Sequence, residues 1–148
     1  MNAALLDSYV LKIMRAGGWN ENRWYDTKYW IEELTKEGYI CFDYALEILE
    51  SLGGLAFDVR DDCGHKGAQF DFNPYFAANG EFDRLAHFES LAKEGLFPIG
   101  SMCQAIVYAG RSQNIYWGSI NRLYWAGTGI EDYLNRLFDN NCTSQEVT

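Results

Sequence analysis

His87-Phe88-Glu89 sets an imidazole and a carboxylate two residues apart, half of the zinc-deaminase signature in which the imidazole binds the metal and the carboxylate moves protons. The other half needs Pro-Cys-x-x-Cys downstream. The chain offers only Cys103, five residues after Pro98, with no second cysteine three residues on, so a zinc ion would lack two thiolates. A helix with His87 and Glu89 toward solvent and Phe88 inward accounts for the same tripeptide. Asp61-Asp62-Cys63-Gly64-His65 gathers oxygen, sulfur and nitrogen donors, but has no obvious fourth ligand and a glycine that raises the entropic cost of assembling a site. Gly110-Arg111-Ser112-Gln113-Asn114 begins like a nucleophile elbow, yet lacks the second glycine and lies between two expected strands, where an elbow joins strand to helix. Gly127-Thr128-Gly129 lacks the third glycine of a dinucleotide fingerprint, and no P-loop occurs. Adjacent acids such as Glu32-Glu33 and Asp61-Asp62 read as solvated surface. The expectation is a protein with no catalytic residue, no cofactor and no resident metal.

Aromatic residues are the surplus that remains. Tyr116-Trp117 and Tyr124-Trp125 put consecutive rings on expected neighbouring strands, where side chains alternate, so one ring of each pair must face away from the core and an exposed large ring is expected. An exposed ring beside carboxylates is a good anchor for a protein partner. Twelve Lys and Arg against twenty-one Asp and Glu give a net charge of −9. That field repels phosphate backbones and hastens encounter with a basic protein. The residues expected to bind a partner are therefore Asp58, Asp61, Asp62, Asp71, Trp117 and Tyr124, with no nucleic acid or membrane as partner. The four cysteines lie 22, 40 and 39 residues apart, too far for a zinc knuckle or a redox pair. Reduced thiols in the cytoplasm fit, since Asp7 interrupts the first apolar stretch and no basic leader precedes it.

These side chains need elements to carry them. With 148 residues, 48% hydrophobic and 16% aromatic, the chain suffices for one domain with one core. Leu6, Tyr9, Val10 and Ile13 predict a helix ended by Gly17-Gly18. Asp26 or Thr27 opens a second, with Trp30, Ile31 and Leu34 inward and Gly38 closing it. A third runs from Asp43 with Ala45, Ile48, Leu49 and Leu52 inward. The period then drops to two over 55–59 and 69–72, an antiparallel pair ended by Asn73-Pro74. A helix over 81–93 with Phe82, Leu85, Phe88 and Ala92 inward stops near Gly95. Strands follow at 99–101, 104–108, 115–117 and 123–126, the middle two joined by a hairpin turn. Thr128 and Glu131 read as a capping box for a last helix carrying Ile130, Tyr133, Leu134 and Leu137. Residues 1–138 form the expected domain, and 139–148 a polar, frayed tail. The expected class is α+β: an antiparallel or mixed sheet of about five to six strands, packed with N-terminal, middle and C-terminal helices.

Leu52-Gly53-Gly54-Leu55, Phe70-Asp71-Phe72-Asn73-Pro74 and Pro98-Ile99-Gly100 each read as points where an element stops. Together with Gly18-Trp19, Arg23, and Trp30 and Leu34 running to Gly38, then Leu49, their order and spacing resemble the SUKH superfamily of bacterial immunity proteins, within it the third subfamily. The resemblance spans residues 16–138. It implies a SUKH fold and the role of a cytosolic antidote that binds and neutralises a polymorphic toxin, commonly a nuclease or nucleic-acid deaminase, without catalysis or cofactor. Trp19, Arg23, Gly53, Gly54, Pro74, Pro98 and Gly100 match the family pattern and are read as scaffold. The 61–65 loop departs from it. Two other readings stand beside the antidote: a SUKH-type adaptor or regulatory module outside toxin systems, and a small metal-dependent enzyme using Asp62, Cys63, His65 or His87.

Overall fold

In the computed structural model, which describes residues 1–59, 68–138 and 144–148, helices occupy the first third of the chain as the 3.6-residue spacing predicts. They are α1 (Ser8–Ala16), α2 (Lys28–Glu37) and α3 (Asp43–Leu52). The inward faces of α2 and α3 hold: Trp30 and Leu34 are buried on one, Ala45, Ile48, Leu49 and Leu52 on the other. Leu6, just before α1, and Val10 are buried as expected and Met14 joins them, while Tyr9, expected inward, is exposed. Packing shifted the buried stripe toward i, i+4 and i+8. Gly38 closes α2 at φ 118°, a left-handed conformation that costs glycine little, and a Cβ there would meet the Phe82 ring at 2.6 Å.

Among the described residues seven strands follow: β1 (Ala56–Val59), β2 (Ala68–Asp71), β3 (Leu96–Met102), β4 (Ala105–Gly110), β5 (Asn114–Ser119), β6 (Arg122–Thr128) and β7 (Gln145–Val147). They pair in chain order as one antiparallel sheet. The strand beyond the expected six is the C-terminal end, where Val147 pairs with Leu123. Residues 145–147 are thus ladder, not frayed tail. Pro98-Ile99-Gly100 does not end an element either. It lies inside β3, where Ile99 is the extra residue of a bulge between the Pro98–Tyr108 and Gly100–Val107 pairs, a place that tolerates a proline without an N–H.

Three more helices cover the sheet: α4 (Pro74–Ala78), α5 (Leu85–Ala92) and α6 (Ile130–Leu137). No sequence periodicity announced α4, because five residues are too few to show one. Its start is explained locally by Pro74 at the first turn and by Asn73, whose side chain accepts the Phe76 N–H at 2.9 Å. The segment over 81–93 splits into a 3-10 turn, Phe82–Arg84, and α5, which stops at left-handed Lys93, before Gly95. The Thr128–Glu131 capping box does not form. Asp132 accepts the Thr128 N–H at 2.9 Å, while Glu131 accepts the N–H of Asn2.

Register separates the two faces of the sheet. Ile106, Gly118 and Leu123 pair in one row, and a Cβ on Gly118 would meet the Phe88 ring of α5 at 2.8 Å. On the opposite face Phe57 stacks on Phe70 at 5.0 Å, and Phe138, just past α6, packs edge-on to Phe70 at 5.7 Å. The protein is α+β, as expected, with a larger sheet.

Candidate partner-binding surface

Trp19, Arg23, Gly53 and Gly54, four of the residues that carry the family resemblance, meet at the end of α3. Trp19 donates Nε1–H to Ser51 Oγ at 3.1 Å, and the Arg23 guanidinium donates to the Ser51 and Gly53 carbonyls at 2.9 and 2.5 Å. These carbonyls lie at the negative end of the helix, where a cation is favoured. Tyr25 lies over Gly53 and Gly54 and stacks on Trp30 at 4.7 Å. Gly54 N–H then donates to Phe72, and Phe72 N–H to Leu55, which ties the helical third to β2. This cluster is a brace whose polar atoms are occupied internally.

Of the residues expected to contact a partner, the four described ones, Asp58, Asp71, Trp117 and Tyr124, do not share one face. Asp61 and Asp62, with the rest of the 61–65 loop, lie outside the described residues. Asp71 shares a row with Ser101, Ile106 and Gly118, and Asp58 is on the same face. Asp71 also braces the turn: it accepts from Asn73 N–H at 3.0 Å and from Ser101 Oγ at 2.8 Å. Trp117 precedes Gly118, so it and its partner Tyr124 point to the other face, where they stack at 4.0 Å and 12°. Arg122 and Glu146, 3.7 Å apart, stand at their side. All four rings that alternation divided are at least half covered: Tyr116 is buried with its hydroxyl on Glu94, and Trp125 donates to Asn114 under the Arg136 guanidinium.

More exposed rings lie elsewhere, Tyr9 and Trp24 singly and two others on one surface. Phe76 is 79% and Tyr29 59% exposed, and Tyr29 meets Tyr75 edge-on at 5.4 Å. Sequence reasoning missed this surface because α4 carries it. The available signal was Asn73-Pro74, a helix start as well as a strand stop.

The fragments that suggested catalysis are structurally engaged. His87 Nε2 is 2.8 Å from the Asn121 carbonyl, and Glu89 accepts the Leu96 N–H at 3.0 Å. Ser112 donates to Glu94, which also holds Tyr116, in a turn joining two strands. A groove of about 200 Å³ beside them is lined largely by apolar residues, among them Ile40, Phe42, Phe82, Leu85 and Leu96, with Glu89 and Arg111. Among the described residues no three His, Cys, Asp or Glu converge as metal ligands, and no helix is long and apolar enough to cross a membrane.

Burial governs the titratable groups of the interior. It pushes the Tyr44 hydroxyl, which accepts the first α6 N–H, up to about 12, and the Cys41 thiol from about 9 to about 11. The folded protein holds Cys41 neutral, so this group's contribution to stability is complete below pH 9 and is lost as pH rises from about 9 to 11. In a labelling experiment near neutral pH, iodoacetamide is expected to modify exposed Cys103 and spare Cys41. Equal labelling of the two in peptide mass maps of folded protein would contradict this.

An antiparallel sheet braced by helices, with the shared signature residues turned inward and aromatic rings and carboxylates left outside, defines the protein as a single α+β domain. The chain belongs to the SUKH-3 immunity protein family, whose pattern it matches over residues 6–140. No curated protein and no solved structure matches it significantly.

Proposed function

We propose that this chain is the antidote of a protein toxin that attacks nucleic acid, as a nuclease or a nucleic-acid deaminase, and that it acts by occupying the toxin without turnover. Membership of an immunity protein family carries the reading. The net charge of −9 supports it, because a domain that handles phosphate backbones presents cations, and an anionic plug is drawn to them. Asp58, Asp61, Asp62 and Asp71 contribute to that field. Trp117 and Tyr124 offer a rigid platform that loses little entropy on contact. The setting is the cytoplasm of the cell that needs protection.

The test is co-expression with the toxin encoded in the adjacent reading frame. Growth is rescued and the two proteins co-purify, in a complex whose association slows as salt is raised. Failure of both rescue and co-purification would overturn the reading, as would substrate turnover by the purified chain abolished by one side-chain change.

A further inference from the structure

We propose that the outer surface of α2 and α4, centred on Tyr29, Tyr75 and Phe76, is the face that docks a basic protein surface. The inference rests on the antidote reading for the identity of that protein, the toxin. On α4, Pro74 and Ala78 are buried, so the helix turns Phe76 away from the core and leaves it 79% exposed. The Asn73 cap fixes it there: the side chain holds Phe76 N–H at 2.9 Å, so the ring stands on an anchored turn. Tyr29 leans on Tyr75 from α2, so two rings meet across two elements, and Phe76 is the next residue along α4. Large rings gathered on one surface are rarely left bare without a use, whereas scattered single rings are ordinary.

The charge beside it says what it takes. Glu33 and Glu37 raise the Tyr75 hydroxyl's pKa behind the larger effect of the neighbouring Tyr29 hydroxyl, which puts both carboxylates within electrostatic reach of the rings. Glu32 stands on the same helix, where Lys36 pairs with Glu33 at 2.6 Å and Lys28 lies 3.8 Å from Glu32, so three acids against two lysines leave one negative charge in excess. Ring faces flanked by carboxylates suit an arginine or lysine: the cation stacks on the ring and pairs with the acid. The Trp117–Tyr124 stack is less suited as the anchor, since its two rings cover each other at 4.0 Å and are half-buried.

The test measures toxin affinity by calorimetry for the parent, the double variant Tyr29→Ser/Phe76→Ser, Trp117→Ala, and Ile120→Ser at the distant β5–β6 turn, with thermal unfolding as the check on folding. The double variant is expected to keep the parent's unfolding temperature within a few degrees and to bind about 30-fold or more weakly, the loss expected of a binding hot spot. Ile120→Ser, which removes an equally bare apolar side chain, is expected to bind as the parent does. Parent-like affinity in a folded double variant overturns this docking face while leaving the antidote reading intact, and so does a loss confined to Trp117→Ala. Should the double variant unfold early, Phe76→Lys supplies the answer, since it keeps the long side chain on an exposed position and repels a basic partner. A parent chain that neither binds nor protects overturns both readings.

Discussion

Gly100→Ala is expected to destabilise the protein by about 3 kcal/mol or more, the largest effect of a single added methyl among the described glycines. Gly100 follows the β3 bulge at the point where β2 ends. A Cβ there would run into the Asp71 carbonyl, with its carbon at 2.9 Å and Phe72 Cα at 3.0 Å. All of these are backbone atoms of a paired strand, so no side-chain rotation relieves the clash. The contact between β2 and β3 is short, only the Phe70–Met102 and Asp71–Ser101 pairs, and moving either strand breaks it. Gly80→Ala is the comparison: nothing lies within 4 Å of its Cβ, and its φ of 78° costs about 1 kcal/mol as left-handed strain alone. Urea titration of both variants checks the difference. Equal midpoints would show that the strands yield, and the close approach would not explain the glycine.

The second expectation concerns Arg23. Replacing it with methionine keeps the stem and removes the two hydrogen bonds to Ser51 and Gly53 carbonyls, at a cost of about 2–3 kcal/mol. Lysine should recover only part of this, because a single ammonium cannot span two carbonyls as a planar fork does. The comparison of urea midpoints among arginine, lysine and methionine orders them in that sequence. Affinity of the folded fraction for the toxin should not change, since the guanidinium is committed to α3. A variant with normal stability and lost affinity would instead make Arg23 a contact residue.

Glu94 shows how much of this scaffold is held by single acids. It accepts from Ser112 N–H, Ser112 Oγ and Tyr116 Oη, and so fastens the loop after α5 to the β4–β5 hairpin. Neither the acidic composition nor the spacing of Glu94 from Ser112 suggests this. It is visible only once β3 and β4 bring the two turns side by side.

Local physics made α2, α3, the β1–β2 pair and the β4–β5 hairpin legible from residues alone. An apolar stripe at 3.6 or an alternation at 2 is a property of neighbours along the chain, and Gly38 or the 110–114 turn punctuates it without help from elsewhere. The signature positions were read as scaffold through the family resemblance, and Arg23 and the Gly53-Gly54 step do serve the backbone. What only the tertiary structure decided was the destination of each face. Alternation split Tyr116 from Trp117 and Tyr124 from Trp125 but could not say that both sides of the sheet would be covered. It could not reveal that Asp58 and Asp71 would look away from Tyr124, that Pro98 would sit inside a bulged strand, or that Phe76 would be turned outward by a five-residue helix. Exposure depends on which element crosses which face, and that is set by contacts between residues far apart in the chain, to which periodicity is blind.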